Sequence, residues 1–323
     1  MIDLVSRPSE VLLTNPRGFC AGVDRAIEIV DELLQLHGAP IYVRKEIVHN
    51  REVVENFRAR GVVFVEEIDE VPDGSLAVFS AHGVSPAVRS AAAERHLRVV
   101  DATCPLVSKV HLEALRFAKA GLFIILVGHA NHDEVEGTLG QVDGMALVED
   151  VDQAESIVVP DPTSVGVITQ TTLSLDDAME IIDVLKRRFP EIKQPARSDI
   201  CYATQNRQTA VKALAEKADV VVVVGSENSS NSQRLRECAE QAGARSYLVD
   251  DPDQIEPGWI ANSATVGVTA GASSPETLVQ RIVERIQEIT GELPVREFGT
   301  REPAIVFAPP KELTQLQREA DTL

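Results

Sequence analysis

The chain is poor in aromatic residues, which make up 4% of its 323 positions. Base stacking, on which single-stranded nucleic acid binding depends, therefore has few platforms. Positive charge is also short: 31 lysines and arginines face 50 aspartates and glutamates, a formal charge of −19. A surface this acidic repels phosphate backbones and anionic lipids, so neither nucleic acid nor a membrane is an expected partner. The longest apolar runs, Leu122 to Val127 and Val220 to Val224, fall far short of the roughly 18 residues a membrane helix needs. The opening MIDLVSRPSE has no basic stretch followed by an apolar one and does not read as a secretory signal. A cytoplasmic globular chain is the expectation. Cysteine is scarce, with only Cys20, Cys104, Cys201 and Cys238. Without a signal, structural disulfides are not expected, and no pair has C-x-x-C spacing. There is no GKS or GKT after a glycine-rich loop and no G-x-G-x-x-G opening a helix after a strand. A Walker-type ATP site and a dinucleotide cofactor are therefore not indicated.

What the chain does have is alternation. Apolar runs at 11–14, 77–80, 97–101, 122–127, 165–169, 220–224 and 265–268 are each followed by a loop, and most of these loops lead into a helical pattern. Strands that are apolar throughout and alternate with helices indicate parallel sheets covered on both faces. The fold class is therefore α/β. The length divides into three units of roughly 90 residues, small but viable as domains. From Gly291 onward, prolines at 294, 303, 309 and 310 suggest an extended arm that ends in a short helix, Lys311 to Ala320.

In open α/β sheets, ligands sit beyond the carboxyl ends of the strands. Here those ends are loaded with polar groups. Cys20 follows the first strand, His82 the second, and Thr103 and Cys104 the third. A long polar loop with His129, His132 and Glu134 follows 122–127; Thr171 and Thr172 follow 165–169. Ser229, Ser230 and Asn231 follow 220–224, and Ser273 and Ser274 follow 265–268. Taken singly, most of these are ordinary helix caps. Taken together, hydroxyls, amides and helix N-termini form a neutral anion trap suited to a diphosphate. Three cysteines at strand–helix junctions, with no fourth partner, suggest an iron–sulfur cluster with one iron open. A Cys3His zinc site completed by His82 or His132 is the alternative, and spacing does not decide between them.

The strings NPRGFCAGVDRAI, IVHN, SAHGVS, DATCPLVSKVH, HDEVEGTLGQ, TQTTLS, DICYATQNRQ, VVVGSENSSNSQRL and GVTAGASSP occur in uninterrupted order from about Val11 to about Arg285. Together they resemble the 4-hydroxy-3-methylbut-2-enyl diphosphate reductase family, also called IspH or LytB. The resemblance implies an oxidoreductase of isoprene biosynthesis, acting at the last step of the non-mevalonate pathway. It implies three small α/β domains around a central 4Fe–4S cluster, one per chain, with one iron not ligated by protein. By position, Cys20, Cys104 and Cys201 match the cluster ligands. His49, His82 and His132 match histidines around the substrate, Glu134 its proton source and Thr171 the threonine that works with that acid. Ser229, Ser230, Asn231 and Ser273 match the neutral donors to the diphosphate. The domains expected are 22–104, 105–197, and 198–285 completed by the N-terminal segment 9–21, with 286–323 as a C-terminal arm.

The reaction implied is a reductive dehydration of an allylic alcohol diphosphate to isopentenyl and dimethylallyl diphosphates. Hydroxide leaves poorly, so a positioned acid is needed to release it as water. A carboxylic acid suits Glu134 where burial lets it keep its proton near neutral pH. The electrons are expected from an external ferredoxin or flavodoxin. Such donors are usually acidic, so Arg44, Lys45 and Arg51 read either as a local basic docking patch or as a solvated charged face. Two positions depart from the family pattern. Asp133 stands where proline is common, and it either raises the proton affinity of Glu134 or points to solvent. Cys238 matches no cluster position and is expected to pack in a helix.

Overall fold

Glu10–Asn15 (β1) shows how the sheets are built. Its residues alternate sides, so Val11 and Leu13 enter one apolar cluster while Leu12 enters another. Both faces are hydrophobic, so helices must cover both. The computed structural model describes residues 8–261 and 263–320. The first seven residues of the stretch read for a signal, and the last three of the arm, lie outside the described residues.

After β1 come α1 (Ala21–His37), β2 (Ile41–Arg44), α2 (Arg51–Ala59), β3 (Val62–Val65) and β4 (Leu76–Phe79). Next are α3 (Pro86–Glu94), β5 (Arg98–Asp101), α4 (Pro105–Lys119), β6 (Phe123–Val127) and α5 (Asp133–Leu139). Then follow β7 (Ala146–Val148), α6 (Val151–Ser156), β8 (Val165–Thr169), α7 (Leu175–Arg188) and α8 (Tyr202–Ala215). The chain ends with β9 (Val220–Val224), α9 (Ser230–Gln241), β10 (Arg245–Val249), α10 (Pro257–Ile260), β11 (Thr265–Ala270), α11 (Glu276–Thr290), β12 (Val295–Gly299) and α12 (Lys311–Ala320).

Among the described residues three sheets form, and every pairing in them is parallel. Their strand orders are β10-β9-β11-β1-β12, β3-β2-β4-β5 and β7-β6-β8. The chain is therefore α/β, as the alternation implies. One compact unit holds the five-stranded sheet and comprises the described residues of 8–20, 49–53 and 202–305. The other comprises 21–48, 54–201 and 306–320 and holds both smaller sheets.

In the first unit, Val220, Val222 and Val224 pack with Leu278, Ile282 and Ile286 of α11. Val221 and Val223 pack on the other side with Val211 and Leu214 of α8 and Leu235 of α9. In the second unit the three-stranded sheet is likewise sandwiched. Ile125, Val127 and Val167 meet α7 through Ile181 and Leu185, while Ile124, Leu126 and Ile168 meet α4 through Val110, Ala114 and Phe117.

Two segments differ from the sequence reading. The polar loop after β6 contains α5, whose N-cap is His132: its side chain accepts a hydrogen bond from the Glu134 amide. Acidic residues at 133, 134 and 136 favour that N-terminus. The C-terminal stretch is only partly an extended arm. Its first part contributes β12, paired from Val11↔Val295 to Asn15↔Gly299 as an edge strand beside β1. Prolines are tolerated here because Pro294 lies just before the strand and offers its carbonyl to the Val11 amide.

Candidate active site

In the second unit, the carboxylate of Glu134 is buried and gripped from one side by a single residue. The Thr171 amide donates to Oε1 at 2.7 Å and the Thr171 hydroxyl donates to Oε2 at 2.8 Å. Glu134 stands in the first turn of α5, and Thr171 lies two residues beyond the end of β8. The two are brought together because neighbouring parallel strands β6 and β8 end at the same edge. Two histidines stand beside it, His132 from the segment after β6 and His82 from the loop after β4 of the four-stranded sheet. His132 Nδ1 accepts the Glu134 amide at 3.1 Å. The His82 and His132 rings meet edge to face, with centroids 5.9 Å apart. His82 Nδ1 lies 3.2 Å from Ser80 Oγ and 3.9 Å from Asp133 Oδ2. Asp133 therefore turns toward His82 and not to open solvent.

Two cysteines border this group. The Cys104 amide donates to Ala81 C=O at 2.9 Å, which ties it to the residue before His82. The Cys201 amide donates to Thr171 C=O at 3.1 Å. Cys104, His82, His132, Glu134, Thr171 and Cys201 are thus neighbours in one unit.

The first unit gathers the remaining residues. The Ser273 hydroxyl donates to His49 C=O at 2.8 Å and lies 3.4 Å from Ser229 Oγ. Ser229 is the N-cap of α9 and accepts the Ser232 amide. Ser230 is the first residue of that helix. Asn231 Oδ1 accepts the Ala272 amide at 2.8 Å, and Ala272 C=O accepts the Cys20 amide at 3.2 Å. Ser229, Asn231 and Ser273 are buried, though all are polar. A helix N-terminus surrounded by neutral donors favours an anion.

None of the four cysteines forms a disulfide. Cys20, Cys104 and Cys201 immediately precede α1, α4 and α8 and are only partly buried. Unpaired amides at helix N-termini favour negative charge, which suits metal-bound thiolates. Cys238 is different: it lies in the core beneath the five-stranded sheet, against Val223 and Leu235. Partly buried thiols at helix N-termini are the donor chemistry that an iron–sulfur cluster takes.

Residues outside the sequence reading also shape the site. Ser232 is fully buried and donates to Ser229 Oγ at 3.0 Å. A Cβ on Gly225 or Gly271 would come within 2.1 or 2.0 Å of Ser232 Oγ, so both turns must be glycine. Thr204 is buried and receives Asn231 Nδ2 at 3.4 Å. The only hint of Ser232 in the sequence is its place in SSNS beside the assigned residues. Thr204 gives none.

The expected docking patch is not a set of available cations. Arg44 is buried and pairs with Glu67 at 3.0 Å. Lys45 pairs with Glu66 at 2.9 Å, and this bond raises its pKa. Arg51 is exposed but meets Asp250 and Asp251 at 3.0 and 3.4 Å. Acidic residues so outnumber basic ones that each of these cations has found a carboxylate.

The family model described as LytB protein matches residues 11–287. The chain belongs to the LytB family. Proteins of this LytB family bind an iron–sulfur cluster. Similar to this LytB chain is the 4-hydroxy-3-methylbut-2-enyl diphosphate reductase of Hahella chejuensis, 59% identical over 309 residues that cover 94% of this chain and 97% of that one. The protein of the same name from Bordetella pertussis is 55% identical over 322 residues, 99% of each chain. Among solved structures, the E-1-hydroxy-2-methyl-but-2-enyl-4-diphosphate reductase from Plasmodium falciparum matches with a TM-score of 0.94 at 37% identity, covering 97% of this LytB chain and 100% of that one. A second, described as (E)-4-hydroxy-3-methyl-but-2-enyl diphosphate reductase, the terminal enzyme of the non-mevalonate pathway, matches with a TM-score of 0.62 at 31% identity, over 86% and 99% of the two chains. Among the described residues, no helix is long and apolar enough to cross a membrane.

Proposed function

We propose that the chain reduces (E)-4-hydroxy-3-methylbut-2-enyl diphosphate to isopentenyl and dimethylallyl diphosphates, with loss of water. Family membership supports the reaction class and favours iron–sulfur over zinc. The observation that carries the reading to this chain is the buried Glu134 carboxylate held by both donors of Thr171. The finer reading is a 4Fe–4S cluster, one per chain, held by Cys20, Cys104 and Cys201 with one iron not ligated by protein. It includes a protein donor of the ferredoxin or flavodoxin type, a cytoplasmic location, and domains bounded at 104/105 and 197/198.

In this reading Ser229, Ser230, Asn231 and Ser273 donate to the diphosphate at the N-terminus of α9, and His49, His82 and His132 surround the substrate, two of them facing its diphosphate. Binding energy taken up at the diphosphate orients the reacting end without a cation that would compete for it. Glu134 gives its proton to the departing hydroxyl, which leaves as water. Thr171 holds both carboxyl oxygens, so the acid cannot swing away, and its hydroxyl oxygen can accept from a protonated Glu134. When bound, the cluster would relay two electrons, one at a time, from the external donor, and a second proton completes the product.

Glu134→Gln tests the assignment. The amide can still accept from the Thr171 amide and donate to its hydroxyl, so packing is retained while the acidic proton is lost. Anaerobic turnover with a chemical reductant should fall by about 10²-fold or more, with substrate binding preserved. A variant with normal turnover removes Glu134 as the acid and makes Asp133 the next candidate.

A further inference from the structure

Each of the three cysteines that immediately precede a helix has a cation attached to the main chain just before it. For Cys20 the cation is Arg207, the bulkiest fully buried side chain. Its Nε and Nη2 donate to Gly18 C=O at 3.2 and 2.8 Å, and Nη2 reaches Phe19 C=O at 3.3 Å. For Cys104 it is Arg25, also buried, whose Nη1 donates to Thr103 C=O at 3.0 Å. For Cys201 it is Lys109, which donates to Arg197 C=O at 3.0 Å, Ser198 C=O at 2.8 Å and Asp199 Oδ1 at 3.1 Å. The pattern recurs although the cations come from three different helices, α8, α1 and α4.

A buried guanidinium is costly unless its charge is matched. Arg207 has one carboxylate, Glu302 at 3.1 Å. Arg25 has none within ion-pair distance among the described residues; its Nε is taken by Ala308 C=O at 2.8 Å. Burial lowers the Arg25 pKa, and the charges of Asp101, Cys104 and Glu312 act against that shift. Arg25 and Lys109 also line a groove of about 610 Å³ whose walls include Asp101, Glu113 and Glu312, none of them in ion-pair contact with Arg25, so this wall is open to water. Two buried cations with a single contacting carboxylate, each beside a cysteine, call for negative charge at the sulfurs.

We infer that Arg207, Arg25 and Lys109 are positioning residues for the iron–sulfur cluster: they fix the three cysteine loops by their carbonyls and favour the reduced, more negative state. The inference rests on the proposed ligand set. Net charge near a cluster sets its potential, so cations tied to the main chain beside each cysteine favour the more negative state. Glu302 and Ala308 lie beyond the residues matched by the family model, so the segment after β12 gains a role as the outer anchor of both arginines.

The experiment uses anaerobically purified holoprotein with Arg25→Met, Arg25→Lys, Arg207→Met, Arg207→Lys, Lys109→Met and Glu302→Gln. Iron content, midpoint potential by spectroelectrochemical titration and rate of iron loss to a chelator are read for each. The methionine variants should lose iron at least ten-fold faster, with a potential shifted negative, and Lys109→Met should shift least because that side chain is part-exposed. The lysine variants should recover most of the potential but less of the retention, since they keep the charge and lose the fork. Glu302→Gln should shift the potential the opposite way, to positive, which loosened packing alone would not do. Wild-type potentials throughout, or a negative shift in Glu302→Gln, overturn the inference. Where a methionine variant does not fold, the lysine variants and Glu302→Gln still decide. Cys20→Ser, Cys104→Ser and Cys201→Ser serve as a separate control: full iron content in any of them overturns the ligand set, whatever the cations do.

Discussion

Gly83 lies against His111: a Cβ at position 83 would stand 2.8 Å from Cε1 of the histidine. It would also lie 3.1 Å from Thr103 Cγ2 and 3.2 Å from Val107 Cγ1, and the backbone there has φ +79°. Gly83 directly follows His82, so the imidazole ring of His111 supports the loop that presents His82.

Gly83→Ala should therefore be costly twice over, through the left-handed backbone and through overpacking. Strain and overpacking of this kind each cost on the order of 1–3 kcal/mol. Chemical denaturation should report that loss, and the displaced His82 should raise KM more than it lowers kcat. An alanine variant with unchanged stability would show that His111 can move aside.

His111 also predicts a pH dependence. Burial first, and then the positive charge of Arg89, lower its pKa from 6.5 to about 4, with Asp101 opposing. The unfolded chain binds a proton below about 6.5 and the folded chain does not until about pH 4. Stability is thus fully present above 6.5 and is lost as pH falls toward 4. The total is about 3 kcal/mol, of which about 2 is gone by pH 5. Denaturation of the wild type and His111→Gln at pH 7.5 and pH 5 measures the difference. Parallel losses in both proteins would exclude this histidine as the source.

Asn231 predicts a split between binding and cluster retention. Its Oδ1 accepts the Ala272 amide, and the Ala272 carbonyl in turn holds the Cys20 amide. Asn231→Asp keeps that acceptor but places a negative charge at the proposed diphosphate site; pyrophosphate affinity should fall by about ten-fold or more, with iron content unchanged. Asn231→Ala should weaken pyrophosphate binding and also lose iron faster. Equal iron retention in both variants would separate the serine and asparagine loop from Cys20.

Cys238→Ser should keep full iron content. The side chain is 1% exposed, in the core between α8, α9 and the sheet. Burying a hydroxyl there should lower stability by about 1–3 kcal/mol. Iron analysis beside thermal unfolding checks both halves.

The fold was legible where residues have one physical use. Five consecutive valines at 220–224 read as a strand buried on both faces, and they are. Ser229 reads as a helix start and caps α9. Short elements were not legible. The helix α5 has seven residues and is rich in acids, so no apolar period is available to announce it. β2 and β3 have four residues each. The site residues stood out because strand ends collect them and nine strings kept their order. The burial of Arg44, and the attachment of Arg25 and Arg207 to carbonyls, depend on partners 23, 78 and 189 positions away. Nothing local marks an arginine as buried.

The sheet that carries β1 has a consequence for synthesis. β1 lies between β11 and β12, strands that emerge only after residue 264. Contacts this distant in sequence form late, and domains of a growing chain fold as their parts emerge. The two smaller sheets, with Cys104 and Cys201 beside them, are complete within the first 201 residues. Cys20 leaves the ribosome earliest of the three but gains its Ala272 partner last. Under the proposed ligand set, cluster insertion waits for the end of translation: a chain cut before β11 presents Cys104 and Cys201 in place while Cys20 still lacks its partner.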